Sequence, residues 1–392
     1  EGKKIQYDLS VLVFGSAIVD FICYVERLPK VGETLHGHTF ATGYGGKGAN
    51  QCVAASKLGA KTAMIAKVGD DSWGENYIAK MQREGVNVEH MELRKGETTG
   101  IAQICVSAAG DNHIVIVAGA NNSLSEMDVS KATHMFESAK ILICQLETPI
   151  NATLRALQNF NGISILNAAP ALADIPQALL KSADIFCVNE NEAALITGSL
   201  EISNLEQAKM GLKNLVEMGA NTVIITLGAL GAIYSSRKES NNFVYVPTQK
   251  VHSVVDTTGA GDAFIGALAY YIAKFPDFPL HQQIGAACEV ASFSVHNLVT
   301  IQLYRTWNLL FPDNHFFPDF FMPPPTRGPF WDAFCFAASS AFWCSFCFCL
   351  KTTSSSSNSL LSFFGAFSGF FFPPSRPDIL SNYPAIKNTF II

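Results

Sequence analysis

The sequence predicts an α/β fold, a doubly wound and mostly parallel sheet with helices on both faces. Two patterns predict it. A short apolar run at residues 9–14 reads as a strand buried on both faces, and short strand-like segments, mostly apolar, recur at 62–68, 141–144, 185–188 and 222–226. Helix-patterned segments at 51–58, 72–84, 193–197, 265–273 and 282–295 alternate with them, and alternation at these lengths argues for parallel strands joined by crossover helices. A third observation bounds the fold. Composition changes abruptly near residue 303, which predicts a domain over 1–302 and an atypical tail over 303–392.

Length and charge narrow the function classes. At 392 residues the chain suffices for one large α/β domain or two smaller ones, taking ~150 residues per domain. A hydrophobic content of 48% fits a sizeable core, and a net charge of −6 argues against a general nucleic-acid surface. An anionic substrate must therefore be met by local groups. The ten cysteines show no framework spacing in the first three quarters of the chain, so they read as buried thiols of a reducing, cytoplasmic compartment. Glu1-Gly2-Lys3-Lys4 runs directly into a strand, so no signal peptide is expected.

Taken in order, the first strand ends at Gly15-Ser16, and Asp20 falls just beyond it, where open α/β sheets bind ligands; a loop-capping carboxylate is the alternative. Residues 34–42, 99–107 and 112–117 have β character. His36 and His38 read as solvent-facing or core histidines, since no third metal ligand is near. Gly43-Tyr44-Gly45-Gly46-Lys47-Gly48-Ala49-Asn50-Gln51 then opens a helix. Its glycines allow close backbone approach, Asn50 offers both a donor and an acceptor, and Lys47 offers donors alone. No Lys-Ser or Lys-Thr pair closes the turn, so it is not a Walker loop.

Glu147 stands at a strand end beside Pro149. The strand at 185–188 delivers Asn189-Glu190-Asn191-Glu192 to a helix start, where residues three apart share a face and where capping is the alternative use. Thr226-Leu227-Gly228-Ala229-Leu230-Gly231 is a tight turn after the strand at 222–226. Asp256-Thr257-Thr258-Gly259-Ala260-Gly261-Asp262 leads into the apolar helix at 265–273. A Gly-Ala-Gly helix start leaves backbone N–H groups unpaired where the macrodipole adds positive potential, which makes an anion hole. Asp262 sits just inside it, where it could take a proton while the amides hold phosphoryl oxygens; an Asp in the first turn of an ordinary helix, with glycines serving only the turn, is the alternative.

The stretches at 43–51, 189–192 and 256–262, in this order and spacing, resemble the motifs of the ribokinase-like carbohydrate kinases, and the resemblance runs over residues 9–298. The resemblance implies a β lid over the sugar, built from the segments at 34–42, 99–107 and 112–117 and often paired with a second subunit. It implies transfer of the ATP γ-phosphoryl to the primary hydroxyl of D-ribose, with Asp262 as base and Gly259, Ala260 and Gly261 stabilising the transferred charge. Sugar contacts carry over to Asp20, Gly46, Lys47, Asn50, Glu147 and Asp262; Ile18 stands where the family often has a polar residue. Nucleotide contacts carry over to Asn189, Thr226, Gly228, Gly231 and Gly261. Glu192 would order water around Mg²⁺, and Asp256, Thr258 and the backbone of Val295 would hold a K⁺-like ion. Another sugar or a nucleoside as acceptor, or a catalytically impaired sugar-binding protein, are the alternatives.

The family pattern continues with Gly-Thr-Gln or similar, whereas this chain has Leu298-Val299-Thr300-Ile301-Gln302 and then departs. Beyond it lie most of the 29 Phe, the run Pro323-Pro324-Pro325 and few charges. Residues 330–350 carry one charge, Asp332, and reach the ~18-residue length of a membrane span, yet hold a single Leu, Leu350, and no Ile, being built mainly of Phe, Cys, Ser and Ala. The tail is expected to have no fixed fold.

Overall fold

A computed structural model of the chain describes residues 9–239, 242–249, 254 and 257–295. Strand β1 (Val11–Phe14) is followed by β2 (Ile18–Val25) and β3 (Thr39–Gly45), which runs almost directly into helix α1 (Lys47–Lys57). Next come β4 (Thr62–Gly69), α2 (Ser72–Arg83), β5 (Asn87–Arg94), β6 (Gly100–Ser107) and β7 (Asn112–Val117). Short helices α3 (Glu126–Lys131) and α4 (Thr133–Ser138) precede β8 (Ile141–Cys144), α5 (Ile150–Asn159), β9 (Ile163–Asn167), α6 (Gln177–Ser182) and β10 (Ile185–Asn189). Then follow α7 (Glu190–Thr197), α8 (Leu205–Met218), β11 (Thr222–Thr226), β12 (Ala232–Ser236) and β13 (Val244–Val246). The described part closes with α9 (Ala260–Lys274) and α10 (Leu280–Ser294).

The main sheet runs β13-β12-β11-β10-β9-β8-β1-β4-β5, parallel from β11 to β5 with antiparallel β12 and β13 at one edge. Burial on both faces explains the unbroken apolar strands. In β1, Val11 and Val13 enter one core with α1, α9 and α10, while Leu12 and Phe14 enter the other with α5 and α8. From β1 the chain winds outward through β4 and β5, then crosses back to β8 and winds the other way. The strand order thus reverses at β1, and ligands of open α/β sheets bind outside the carboxyl ends of strands at such a point. The second sheet, β3-β2-β6-β7, is the lid.

The doubly wound sheet and the small β sheet are as expected, and several boundaries differ. Asp20 does not lie on a loop after β1; it belongs to lid strand β2, opposite Gly43 and Ala102. Residues 34–38 are not strand. Alternation alone does not supply a partner strand, and pairing begins only at Thr39, opposite Tyr24. His36 and His38 are exposed, and His38 stands 3.4 Å from Glu26. Helices α1, α7 and α9 begin three to five residues earlier than their apolar periods, because their first turns are made of the polar and glycine-rich motifs themselves. No described helix is long and apolar enough to cross a membrane. Asp256, the segment beyond Leu298 and the expected tail, including 330–350, lie outside the described residues.

Candidate active site

The site is assembled at the carboxyl end of β1. Gly48, in the first turn of α1, lies so close to this strand end that a Cβ there would stand 2.5 Å from the Ser16 nitrogen. That approach lets Gly48 N–H donate to Ser16 Oγ at 3.2 Å, while Ser16 Oγ donates to Glu147 Oε2 at 2.5 Å. The Lys47 N–H donates to the same carboxylate oxygen at 2.9 Å. Glu147, at the end of β8, is therefore tied to the start of α1 and to the end of β1. Gly46 caps α1 with φ 87°, in the left-handed region that favours glycine.

Helix α9 brings in Asp262. Its first turn follows Gly259, at φ 77°, and the Asp262 carboxylate is 8% exposed. Asn50 Nδ2 donates to Asp262 Oδ2 and Gln51 Nε2 to Oδ1, both at 2.9 Å. Gln51 is fully buried; it donates also to Asn167 Oδ1 at 2.9 Å and accepts from Gln145 Nε2 at 2.7 Å. Two acceptors here are left over. Asn50 Oδ1 and Gln145 Oε1 are buried without a hydrogen-bond partner. Around Gly261 the surface is open, with nothing within 4 Å of where a Cβ would project.

The charges of three carboxylates, Asp262, Glu147 and Glu192, act on Lys47. Burial raises the pKa of Asp20 to about 7, helped by the charges of Glu147 and Asp262. Burial also raises Glu147 and Asp262, with Lys47 opposing the shift in each case. For Lys47 burial acts downward, but Asp262, Glu147 and Glu192 outweigh it and raise its pKa, so it stays a cation. A carboxyl group lifted by burial and held by two amide donors suits proton abstraction from a hydroxyl.

On the other side of the reversal point, the ends of β10 and β11 lie side by side, with Asn189 opposite Thr226. Asn189 and Glu192 form a reciprocal cap at the start of α7: Asn189 N–H donates to Glu192 Oε2, and Glu192 N–H donates to Asn189 Oδ1, both at 2.8 Å. The capping use weighed from the sequence is thus realised. Burial raises the Glu192 pKa as well, with the Asn189 amide and Lys47 opposing it. After β11, Leu227 N–H closes the turn onto Gly231 O at 2.8 Å. Gly231 needs to be glycine, because at φ 99° a Cβ would meet Val246 O at 2.3 Å. Gly228 lies beside Glu190, whose Oε1 is 3.8 Å from a Cβ position. Thr258 immediately precedes Gly259, and Val295 ends α10 with 8% exposure.

Residues 8–306 match the family model described as pfkB family carbohydrate kinase. The chain belongs to this family. The kinase is 43% identical to the ribokinase of Mus musculus over 298 residues, covering 75% of this chain and 91% of that one. It is 37% identical to the deoxyribokinase of Salmonella typhi over 290 residues, 73% of this chain and 92% of the other. Among solved structures it resembles Arabidopsis thaliana ribokinase complexed with ribose and ATP, with a TM-score of 0.70, 28% identity, and coverage of 79% of this chain and 99% of that chain. The kinase is accordingly a sugar phosphotransferase. Four of its site residues were not singled out from the sequence: Ser16, Gln51, Gln145 and Asn167. Gln51 closes the stretch at 43–51 and Gln145 stands two residues before Glu147, which is the one signal they carry; Asn167 ends β9 and Ser16 follows β1 by two residues.

Proposed function

We propose that the kinase transfers the γ-phosphoryl group of ATP to the primary hydroxyl of D-ribose, giving ribose 5-phosphate. The observation that carries this reading is the polar pocket around Asn50. Asn50 Oδ1 is a buried acceptor without a donor; Glu147 and Asp262, whose charges act on Lys47, add acceptors, as does Asp20, which feels both of those carboxylates. A ligand carrying several hydroxyl donors relieves all of these at once, whereas leaving them unmet costs about 1 to 3 kcal/mol each. Asp262 accepts the proton of the attacking hydroxyl, and the amides of the Gly259-Ala260-Gly261 turn receive the negative charge of the transferred group, with Ala260 N–H exchanging its 3.2 Å bond to Thr257 O for the phosphoryl oxygen. Mg²⁺ entering with the nucleotide would neutralise phosphate charge. Glu192, a half-buried carboxylate fixed by the cap, offers the hard oxygen chemistry such an ion takes.

A second reading, 2-deoxyribose as acceptor, draws support from the deoxyribokinase relative and from Ile18, a buried apolar residue where the family often has a polar one. A coupled assay of ADP release across ribose, 2-deoxyribose, fructose and adenosine, with and without K⁺, separates the two. Ribose should give the highest kcat/KM, and Asp262→Asn should lower kcat by ~10²- to 10⁴-fold. A preference for 2-deoxyribose would transfer the assignment, and an active Asp262→Asn would remove its base.

The same reading assigns roles to the remaining residues. Asn189, Thr226, Gly228 and Gly231 line the nucleotide side, and Asp256, Thr258 and Val295 serve a monovalent cation. The kinase domain spans 1–302, followed by the 303–392 tail. Every residue of β7 is exposed, including Ile114 to Val117, which supports pairing of the lid with a second copy. Six described cysteines are free thiols, in keeping with a cytoplasmic setting.

A further inference from the structure

We propose that Glu89, His90 and His134 form a zinc-type cation site that clamps the edge strand β5 to α4. Nothing in the sugar kinase reaction uses these residues. The ladder between β4 and β5 shows why they meet. Ala63 pairs with Asn87 and Ile65 with His90, so two steps along β4 face three along β5. An extra residue of this kind interrupts the alternation of a strand and re-aims its side chains. Consecutive residues Glu89 and His90, which would otherwise point to opposite faces, both reach His134 of α4. Glu89 Oε1 lies 4.0 Å from His90 Nε2 and 3.6 Å from His134 Nε2. The two imidazole rings are 5.3 Å apart, tilted by 47°.

The three ligand atoms all lie within 4.8 Å of one another. Zinc bound at about 2.0–2.1 Å in a tetrahedron holds its ligands roughly 3.3 Å apart, so side-chain torsions need close only a modest gap. Both Nε2 atoms are shielded from solvent, and that of His90 has no hydrogen-bond partner, an arrangement folded proteins seldom leave standing. Two imidazoles and a carboxylate are the donor set of zinc, whereas Mg²⁺ takes oxygen ligands. The nearest basic group, Lys131, is engaged by Glu92 at 2.8 Å. Water would complete the fourth position.

The test uses the full chain, stripped with chelator, and equilibrium dialysis against Zn²⁺ and Co²⁺. Wild type should bind one equivalent more than His134→Gln or Glu89→Gln, with at least tenfold tighter affinity for that equivalent. Co²⁺ should produce a visible tetrahedral absorption that both variants lose, and Zn²⁺ should raise the Tm of wild type alone. In chelator, the variants should match wild type in Tm and in sugar phosphorylation, which excludes misfolding as the cause. Equal Zn²⁺ stoichiometry and affinity in wild type and variants, or a Tm of wild type that Zn²⁺ does not raise, would overturn the site.

Discussion

Replacing Asp20 with asparagine should stabilise the ligand-free protein while weakening its hold on sugar, and the stabilisation should depend on pH. Burial, then the charges of Glu147 and Asp262, lift Asp20 from 3.8 to about 7. The folded state therefore keeps a proton that the unfolded chain releases, so this carboxyl costs little below pH 4. The cost grows as pH rises from about 4 to about 7 and is constant above that. A shift of roughly three units at ~1.4 kcal/mol per unit sets a ceiling of about 4 kcal/mol. Partial solvent access at the lid strand screens part of it, leaving a gain of ~1 to 3 kcal/mol at pH 8. Urea unfolding of both proteins at pH 4.5 and pH 8 reads the difference, and ribose titration by calorimetry should show a loss of ~1 to 3 kcal/mol. A variant no more stable than wild type at pH 8, or a gap equal at both pH values, would refute the reasoning.

Two further substitutions address the scaffold beneath the chemistry. Gln51→Leu removes one donor that serves Asp262 and Asn167 and one acceptor that serves Gln145. It should cost about 1 to 3 kcal/mol for each orphaned group and lower kcat at least tenfold with a smaller change in KM, measured by urea unfolding and steady-state kinetics. Gly266→Ala places a methyl 2.5 Å from both Ala54 Cβ and Gln51 O, and such overpacking costs ~1 to 3 kcal/mol. Its Tm should fall, and Ala54→Gly in the same chain should recover part of the loss; an unchanged Tm would show that α1 and α9 separate freely.

What the sequence disclosed and what it hid follow from how each residue works. Lys47, Asn50, Glu147 and Asp262 act from helix starts and strand ends, and glycine-rich turns mark such places in one dimension. Their convergence could be expected, and Lys47 does feel the charges of Glu147, Asp262 and Glu192. Gln51, Gln145 and Asn167 act through burial. An amide in a helix or at a strand end looks like any surface polar residue until the fold removes water from it. Asp20 was misplaced because one carboxylate inside an apolar run does not say whether the run is a turn or a second strand. The Asn189 and Glu192 spacing was legible, yet both uses of that spacing look alike in sequence, and the cap is settled by the backbone geometry.

The close crossing of α1 and α9 has a consequence for how this enzyme could change its diet. At Gly266 the two helices approach so closely that only the Ala54 methyl and the Gln51 backbone face the glycine. One helix begins with Lys47 and Asn50, the proposed sugar contacts, and the other with Asp262 and the proposed anion hole, so in that reading the span between acceptor hydroxyl and phosphoryl group is set by the packing of this one helix pair. Mutations that widened it would sacrifice phosphorylation of every acceptor together. In that reading, room for a new sugar has to be found elsewhere, at Ile18 and Asp20 of β2, where drift would retune selectivity while the transfer geometry is inherited intact.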